Sequence, residues 1–191
     1  MTQLFVSDHI RLDAFDPEKD AAVESGWTHD AEFLRLVDLG PARPLSPPQV
    51  KKKYEQQEKE ADKNYHFALR LRELPAEGPE GPGRLIGFAR LFWIDWYHGA
   101  AMLALGIAAP ADRGQGYGTK VMGLLLRYAF DECSLHRLSA LIPAYNLGAI
   151  RFFERHGFAV EVRRRQAVAR DGRRWDMLQY GLLRDEWKGS M

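Results

Sequence analysis

The residues best suited to chemistry fall in two clusters. The first is Gly106-Ile-Ala-Ala-Pro-Ala-Asp-Arg113-Gly114-Gln115-Gly116-Tyr117-Gly118-Thr119-Lys120. An apolar, strand-like run enters it. A run with helical spacing at Val121, Leu124, Leu125, Tyr128 and Ala129 leaves it. Glycines at alternate positions let a backbone approach a ligand closely with its amides exposed. A helix N-terminus there presents unpaired N–H groups and a partial positive charge, and Arg113 adds a full one. That combination asks for an anion, and a pyrophosphate suits it best. The second cluster is Asn146-Leu-Gly-Ala149-Ile150-Arg151-Phe152-Phe153-Glu154-Arg155-His156-Gly157-Phe158. It reads as a short helix opened by an asparagine and stopped by a glycine.

Spacing narrows the anion. A P-loop needs Gly-Lys-Ser/Thr, and the order here is Gly118-Thr119-Lys120. A dinucleotide fingerprint sets its third glycine three residues after the second, whereas Gly118 follows Gly116 by two. It also wants an acid at the end of the next strand, which here ends in Ile142-Pro143. Both nucleotide readings are disfavoured. Cys133 is the only cysteine, so no intramolecular disulfide and no cysteine-based metal site is expected, and the six histidines have no ligand-like spacing.

Mixed elements position these clusters. A short strand over Ile10–Phe15 is followed by helices. Asp16-Pro17 marks the start of one, and the capping-box pattern Ser46-Pro47-Pro48-Gln49 opens another that runs to about Glu60. Lys51-Lys52-Lys53 reads as its solvated face. Strands are expected over Tyr65–Leu71, Leu85–Ile94, Met102–Ala108 and Arg137–Ile142, and helices over Gly116–Asp131 and Asn146–His156. Asp171-Gly172 joins Ala159–Ala169 to Arg174–Leu182 as a hairpin. The stretch Glu73–Arg84, half Gly and Pro, reads as a long hairpin loop. The order is that of an α/β (α+β) domain with one central sheet.

Composition sets the limits. The 191 residues carry 27 Lys+Arg against 26 Asp+Glu, a net charge of +1, with 46 % apolar residues. One domain with a sizeable core fits that length. Near-neutral charge removes the bulk attraction on which general nucleic-acid binders rely. Met1–Asp16 has no basic-then-apolar leader, and no apolar run approaches the ~20 residues of a membrane span, so a cytoplasmic protein is expected.

The pattern Arg113-x-x-Gly116-x-Gly118 resembles the acyl-CoA loop of the GNAT superfamily of N-acetyltransferases, and Asn146–Phe158 resembles that superfamily's second motif. The likeness covers 10–187 as one N-acetyltransferase domain and is strongest from Gly87 to Phe158. The closing helix pattern and the early Trp27-x-x-Asp30 are similar to the RimJ/RimL branch, which acetylates ribosomal-protein N-termini. The resemblance implies a mostly antiparallel sheet flanked by helices, with a splayed strand pair at the acyl-CoA site. It implies acetyl-CoA as co-substrate, an amine acceptor and direct acetyl transfer without a metal. Ile107, Ala108 and Ala109 would offer main-chain groups to the pantetheine arm and the thioester carbonyl. Arg113, Gly114, Gln115, Gly116, Gly118 and Thr119 would hold the pyrophosphate. Asn146 would bond the arm, although its place equally allows a helix cap, and Phe153 would line the thiol end.

Two departures from the resemblance bear on catalysis. Phe153 stands where many members carry a proton-donating tyrosine, and Ala104 where many carry a glutamate. Asp95, Tyr145, Asp30 and Glu32 are the weak replacements on offer. A CoA-binding sensor or assembly module without catalysis is the alternative. The aromatic stretch Phe92–His98 suits an acceptor pocket, a dimer surface or core. The arginines at 163, 164, 165, 170, 173 and 174 suit a solvated hairpin, or one pairing with acids across a homodimer, better than a nucleic-acid patch.

Overall fold

The computed structural model describes residues 3–72, 81 and 83–189. Residues 73–80 and 82 of the Gly/Pro-rich hairpin loop lie outside the described residues. The strands are β1 (Ile10–Asp13), β2 (Tyr65–Leu71), β3 (Arg84–Asp95), β4 (Ala100–Ile107), β5 (Arg137–Pro143), β6 (Ala159–Arg170) and β7 (Arg173–Leu183). They form one sheet in the order β1-β2-β3-β4-β5-β7-β6. Every neighbouring pair is antiparallel except β4–β5.

The helices begin where local chemistry says they should. Asp16 accepts N–H bonds from Glu18 and Lys19 to open α1 (Pro17–Trp27), with proline at the first position. Asp30 accepts from Phe33 N–H to open α2 (Ala31–Val37). Gln49 reaches back to Ser46 N–H at 2.8 Å to open α3 (Pro47–Glu58). Helix α4 (Tyr117–Arg127) runs on into a wider turn over Tyr128–Glu132, and α5 (Leu147–Arg155) is capped by Asn146. No helix among the described residues is long and apolar enough to cross a membrane.

The sheet packs on both faces, so its central strands read as nearly continuous apolar runs. On one face Leu12, Leu69, Leu91 and Leu103 meet Val121, Met122 and Leu125 of α4 in a fully buried core. On the other, Ala21, Val50 and Tyr54 form a second cluster between α1 and α3, with Phe15 stacked on Tyr54. Asp20 of α1, 2 % exposed, ties that layer to the sheet through Arg70 of β2 at 2.6 Å. Register fixes a row on this second face. His66 pairs with Arg90 and Arg90 with Ala104, and residues paired across adjacent strands point the same way.

The parallel pair is the irregular place in the sheet. β4 and β5 pair only at Ala100↔Arg137, Ala101↔Leu138 and Met102↔Ser139. Beyond that β4 stays with β3 as far as Ile107, and β5 stays with β7 as far as Pro143. The two strands therefore part, which is the splay that the resemblance implied.

Candidate active site

The glycine loop leaves the end of β4 and is pinned at its base. Arg84 of β3 makes a bidentate pair with Asp112 at 2.9 and 2.7 Å, holding that carboxyl below the usual carboxylate range. Arg113 turns back rather than outward: its Nε and Nη2 donate to the carbonyls of Ile107 (3.0 Å) and Ala108 (2.6 Å), and its guanidinium lies 5.7 Å from the Phe33 ring. Two of the donors expected to meet an anion are thus used to fix the loop. What the loop offers instead is backbone. Gly114 and Gly116 sit at φ +75° and +80° with nothing within 4 Å of where a Cβ would be, and Gln115 beside them is exposed. Gly116 caps α4 without any side-chain bond. The N–H groups of Tyr117, Gly118 and Thr119 therefore have no partner within the helix. Gly118 has another reason to be glycine. A Cβ there would lie 3.2 Å from Phe152 Cε2, so it lets α4 and α5 approach closely.

Along β4 the direction of the main-chain groups decides which residues face the splay. Ala108 N–H donates to Ile86 O at 2.9 Å, toward β3. Main-chain groups alternate along an antiparallel strand, so Leu105 and Ile107 turn theirs away from β3, into the opening left by β5. Of the three residues expected to offer backbone there, Ile107 is so placed and Ala108 is not. Leu105 was missed.

Helix α2 closes the opening from the side. A Cβ at Gly106 would lie 2.9 Å from Val37 Cγ1, closer than real Cβ atoms come, so glycine lets α2 sit against β4. The last carbonyls of any helix lack intrahelical partners. Here Tyr145 Oη donates to Arg35 O (2.7 Å) and Asn146 Nδ2 to Leu36 O (3.2 Å). Arg170 of the hairpin reaches Asp38 O and Gly40 O, and Arg35 pairs with Asp171. Both ends of the Asn146 amide are thus occupied, because its Oδ1 also caps α5 through Ala149 N–H at 3.0 Å. Both Asn146 and Tyr145 work as fasteners of α2.

The second face of the sheet holds a polar cluster that sequence reasoning missed. Two cavities, of about 260 and 400 Å³, share Val37, Asp38, His66 and Arg90. The smaller reaches Glu24, Lys53 and Tyr54, and the larger reaches Leu103 and Ala104 at the splay. Tyr54 Oη donates its one proton to Glu24, which also accepts from Lys53 at 2.9 Å. Tyr54 oxygen then accepts from His66 Nε2 at 3.0 Å, leaving His66 Nδ1 with a lone pair. Burial, with the charges of Lys53 and Arg90, pushes the His66 pKa down to about 3, so the ring is neutral. Burial and the Glu24 carboxylate hold the Tyr54 phenol well above its ordinary value. Lys53, expected on a solvated face, belongs to this cluster instead. The available signal was a histidine and an arginine inside apolar strand runs that leave no polar face.

Other candidates stand apart from the splay. Asp95 closes the β3–β4 turn by accepting from His98 N–H at 3.0 Å. It lies eight residues along β3 from Gly87, the partner of Ile107, which is roughly 26 Å of extended strand. Asp30 caps α2 and Glu32 is exposed on its first turn. Phe153 is 6 % exposed and packs edge-on to Phe158 in the core, while Phe152 faces Gly118. The aromatic stretch divides: Phe92 and Trp93 line the larger cavity, Trp93 at φ +52° and 68 % exposed, while Tyr97 projects from the turn. In the hairpin, Arg163 pairs with Asp176 of the opposite strand. Burial raises the Cys133 thiol, which makes it a poor nucleophile.

Comparison with known proteins bears on this arrangement. A probable N-acetyltransferase of Bacillus subtilis (strain 168), YjcK, is 35 % identical over 119 residues, 61 % of this chain and 60 % of its own. Spermidine N(1)-acetyltransferase of Vibrio cholerae is 26 % identical over 103 residues, 54 % of this chain and 59 % of its own. The chain thus spans about three fifths of the length of these curated relatives. The crystal structure of a Vibrio cholerae spermidine N-acetyltransferase with CoA and spermine superposes with a TM-score of 0.79 at 18 % identity, covering 94 % of this chain and 98 % of that one. Such identity speaks for the fold alone, and the fold is the same mixed α/β one. The family model for the acetyltransferase (GNAT) domain matches residues 9–159, from the strand before α1 to the start of β6, and the chain belongs to that family.

Proposed function

We propose that this chain is an acetyl-CoA-dependent N-acetyltransferase that transfers the acetyl group directly to a primary amine, on the RimJ/RimL side of its family. The observation that carries the reading is the free edge of β4. It offers the Leu105 main-chain groups and the Ile107 N–H at the splay, the Ile107 carbonyl being taken by Arg113, and leads, through a loop of exposed amides, into a helix whose first N–H groups lack partners within it. An amide-rich arm and a pyrophosphate are the two chemistries that such an edge and such a helix start accept. Acetyl-CoA supplies the acetyl group as a thioester. Gly114, Gln115, Gly116, Gly118 and Thr119 would hold the pyrophosphate by backbone. Ile107 N–H, pointing into the splay, would steady the thioester carbonyl as charge develops on its oxygen.

A C–N bond forms at the acceptor as the thioester C–S bond breaks, and the amine's proton ends on the thiol sulfur or in solvent. No carboxylate stands at Ala104 and no phenol at Phe153 to move that proton. A thiol of pKa about 8.5 is a tolerable leaving group unaided, and an α-amine of pKa about 8 is partly neutral at pH 7. General acid–base help is worth roughly 10²–10⁴-fold, and positioning supplies more. An α-amine or other weakly basic amine therefore fits better than a lysine side chain. Incubation with acetyl-CoA and a broad amine panel, following free thiol, tests this. Amine-dependent thiol release is expected. Acetyl-CoA binding without release would instead favour a sensor, and no binding would overturn both.

A further inference from the structure

Arg90 is the one cation at the centre of the second face whose guanidinium makes no hydrogen bond to any described residue. Its Nε is buried without a partner, and its guanidinium lies over the Phe92 and Phe88 rings, at 4.7 and 5.8 Å from their centroids. Ring faces support a guanidinium without using its in-plane donors. The terminal nitrogens are left for whatever enters the two cavities that Arg90 lines. A planar fork of N–H donors on a half-buried side chain matches a carboxylate, which accepts two parallel bonds. No acid closes a hydrogen bond on it: Glu24 is bound by Lys53 and Tyr54, and Asp38, whose charge acts on Arg90 through space, spends Oδ1 on Gly40 N–H.

Position makes this a substrate contact. Arg90 pairs with Ala104, so their Cα atoms are about 5 Å apart and their side chains share a face. Ala104 borders the splay, where the acetyl group would sit. An amine at the splay and an anion on Arg90 must therefore be joined by few bonds. Resting on the acetyltransferase reading above, we propose that Arg90 binds the carboxylate of an amino-acid-sized acceptor, and that carboxylate-bearing amines are the substrate class of this chain. Arg90 itself repels a polyamine, which brings only positive charge.

The test compares free amino acids with their carboxamides, alongside spermidine and a peptide amide, in the thiol-release assay. The wild-type chain should favour an acid over its amide by about 10- to 100-fold in kcat/KM, the worth of a hydrogen bond between charged partners. Most of the effect should appear in KM. Arg90→Gln should bring acid and amide to within about twofold, and Arg90→Lys should keep part of the preference. Equal use of acid and amide by the wild-type chain, better use of spermidine, or a preference that survives Arg90→Gln overturns the proposal. The acid–amide comparison needs only the wild-type chain, so it decides even if a variant fails to fold. Release with amides or polyamines alone defeats this inference and leaves the acetyltransferase standing, whereas release with no amine defeats both.

Discussion

His66 should make the wild-type chain lose stability in mild acid faster than a His66→Gln variant does. Its ring is half-buried between Tyr54, Phe15 and Phe88, and its pKa is pushed down to about 3 by desolvation first and by Lys53 and Arg90 second. In the unfolded chain the same ring titrates near 6.5. Between those values the unfolded state holds a proton that the native state refuses, so native stability falls as pH falls through this window. The slope approaches about 1.4 kcal/mol per pH unit, which amounts to about 2 kcal/mol between pH 6.5 and pH 5. That is a sizeable part of the roughly 5–15 kcal/mol that holds a domain together. Replacing His66 by glutamine removes the titration but keeps a side chain able to meet Tyr54 Oη. Carboxylates elsewhere titrate alike in both proteins and cancel in the difference. Urea denaturation of the two at several values from about pH 7 to pH 5 measures that difference directly. The wild-type advantage should shrink with acid by the amount above. An advantage constant to within about 0.5 kcal/mol, or one that grows, refutes a neutral His66 and with it the hydrogen-bond order Glu24–Tyr54–His66.

The two loop glycines should respond to alanine for different reasons. Gly116→Ala meets open space but a φ of +80°, costing about 1–2 kcal/mol in thermal denaturation that no neighbouring substitution recovers. Gly118→Ala meets Phe152 at 3.2 Å, so Phe152→Leu in the same chain should restore much of its stability, and failure of that rescue counts against close α4–α5 packing as its role. Asn146→Ala loses both a helix cap and the tie to Leu36 O, about 2 kcal/mol together or roughly 4–8 °C in Tm. Asn146→Asp keeps the cap and should recover about half of that; equal Tm values for the two variants would show that one of the bonds carries nothing.

The parts of the site that were legible in the sequence are those whose causes are local. A left-handed glycine before a helix, a proline after an N-cap and an Asp-Gly between strands each act within a few residues, and Gly116, Pro17 and Asp171-Gly172 sit where those rules put them. Arg113 was legible as a residue of the loop but not in its direction. Nothing in Arg113-x-x-Gly116 says whether the guanidinium points outward or folds onto Ile107 O and Ala108 O. That choice depends on Phe33 of α2, eighty residues earlier, lying beneath it.

The polar cavity on the second face was not legible because no local rule contains it. Tyr54 reaches Glu24 across thirty residues and His66 across twelve, and Arg90 joins them only through strand register. A one-residue slip of β2 against β3 would put the histidine in the α4 core and a phenylalanine in the cavity. The register is held because Phe67 and Leu69 are needed on the α4 side, which leaves His66 and Arg90 for the other. The same packing explains why Ala104 and Gly106 are small: they share the face of Arg90, and α2 is drawn against them by Tyr145, Asn146 and Arg170. At Ala104 a small side chain leaves room beside the Arg90 guanidinium. An acceptor that brings its own negative charge turns that arrangement from a cost into a means of orientation.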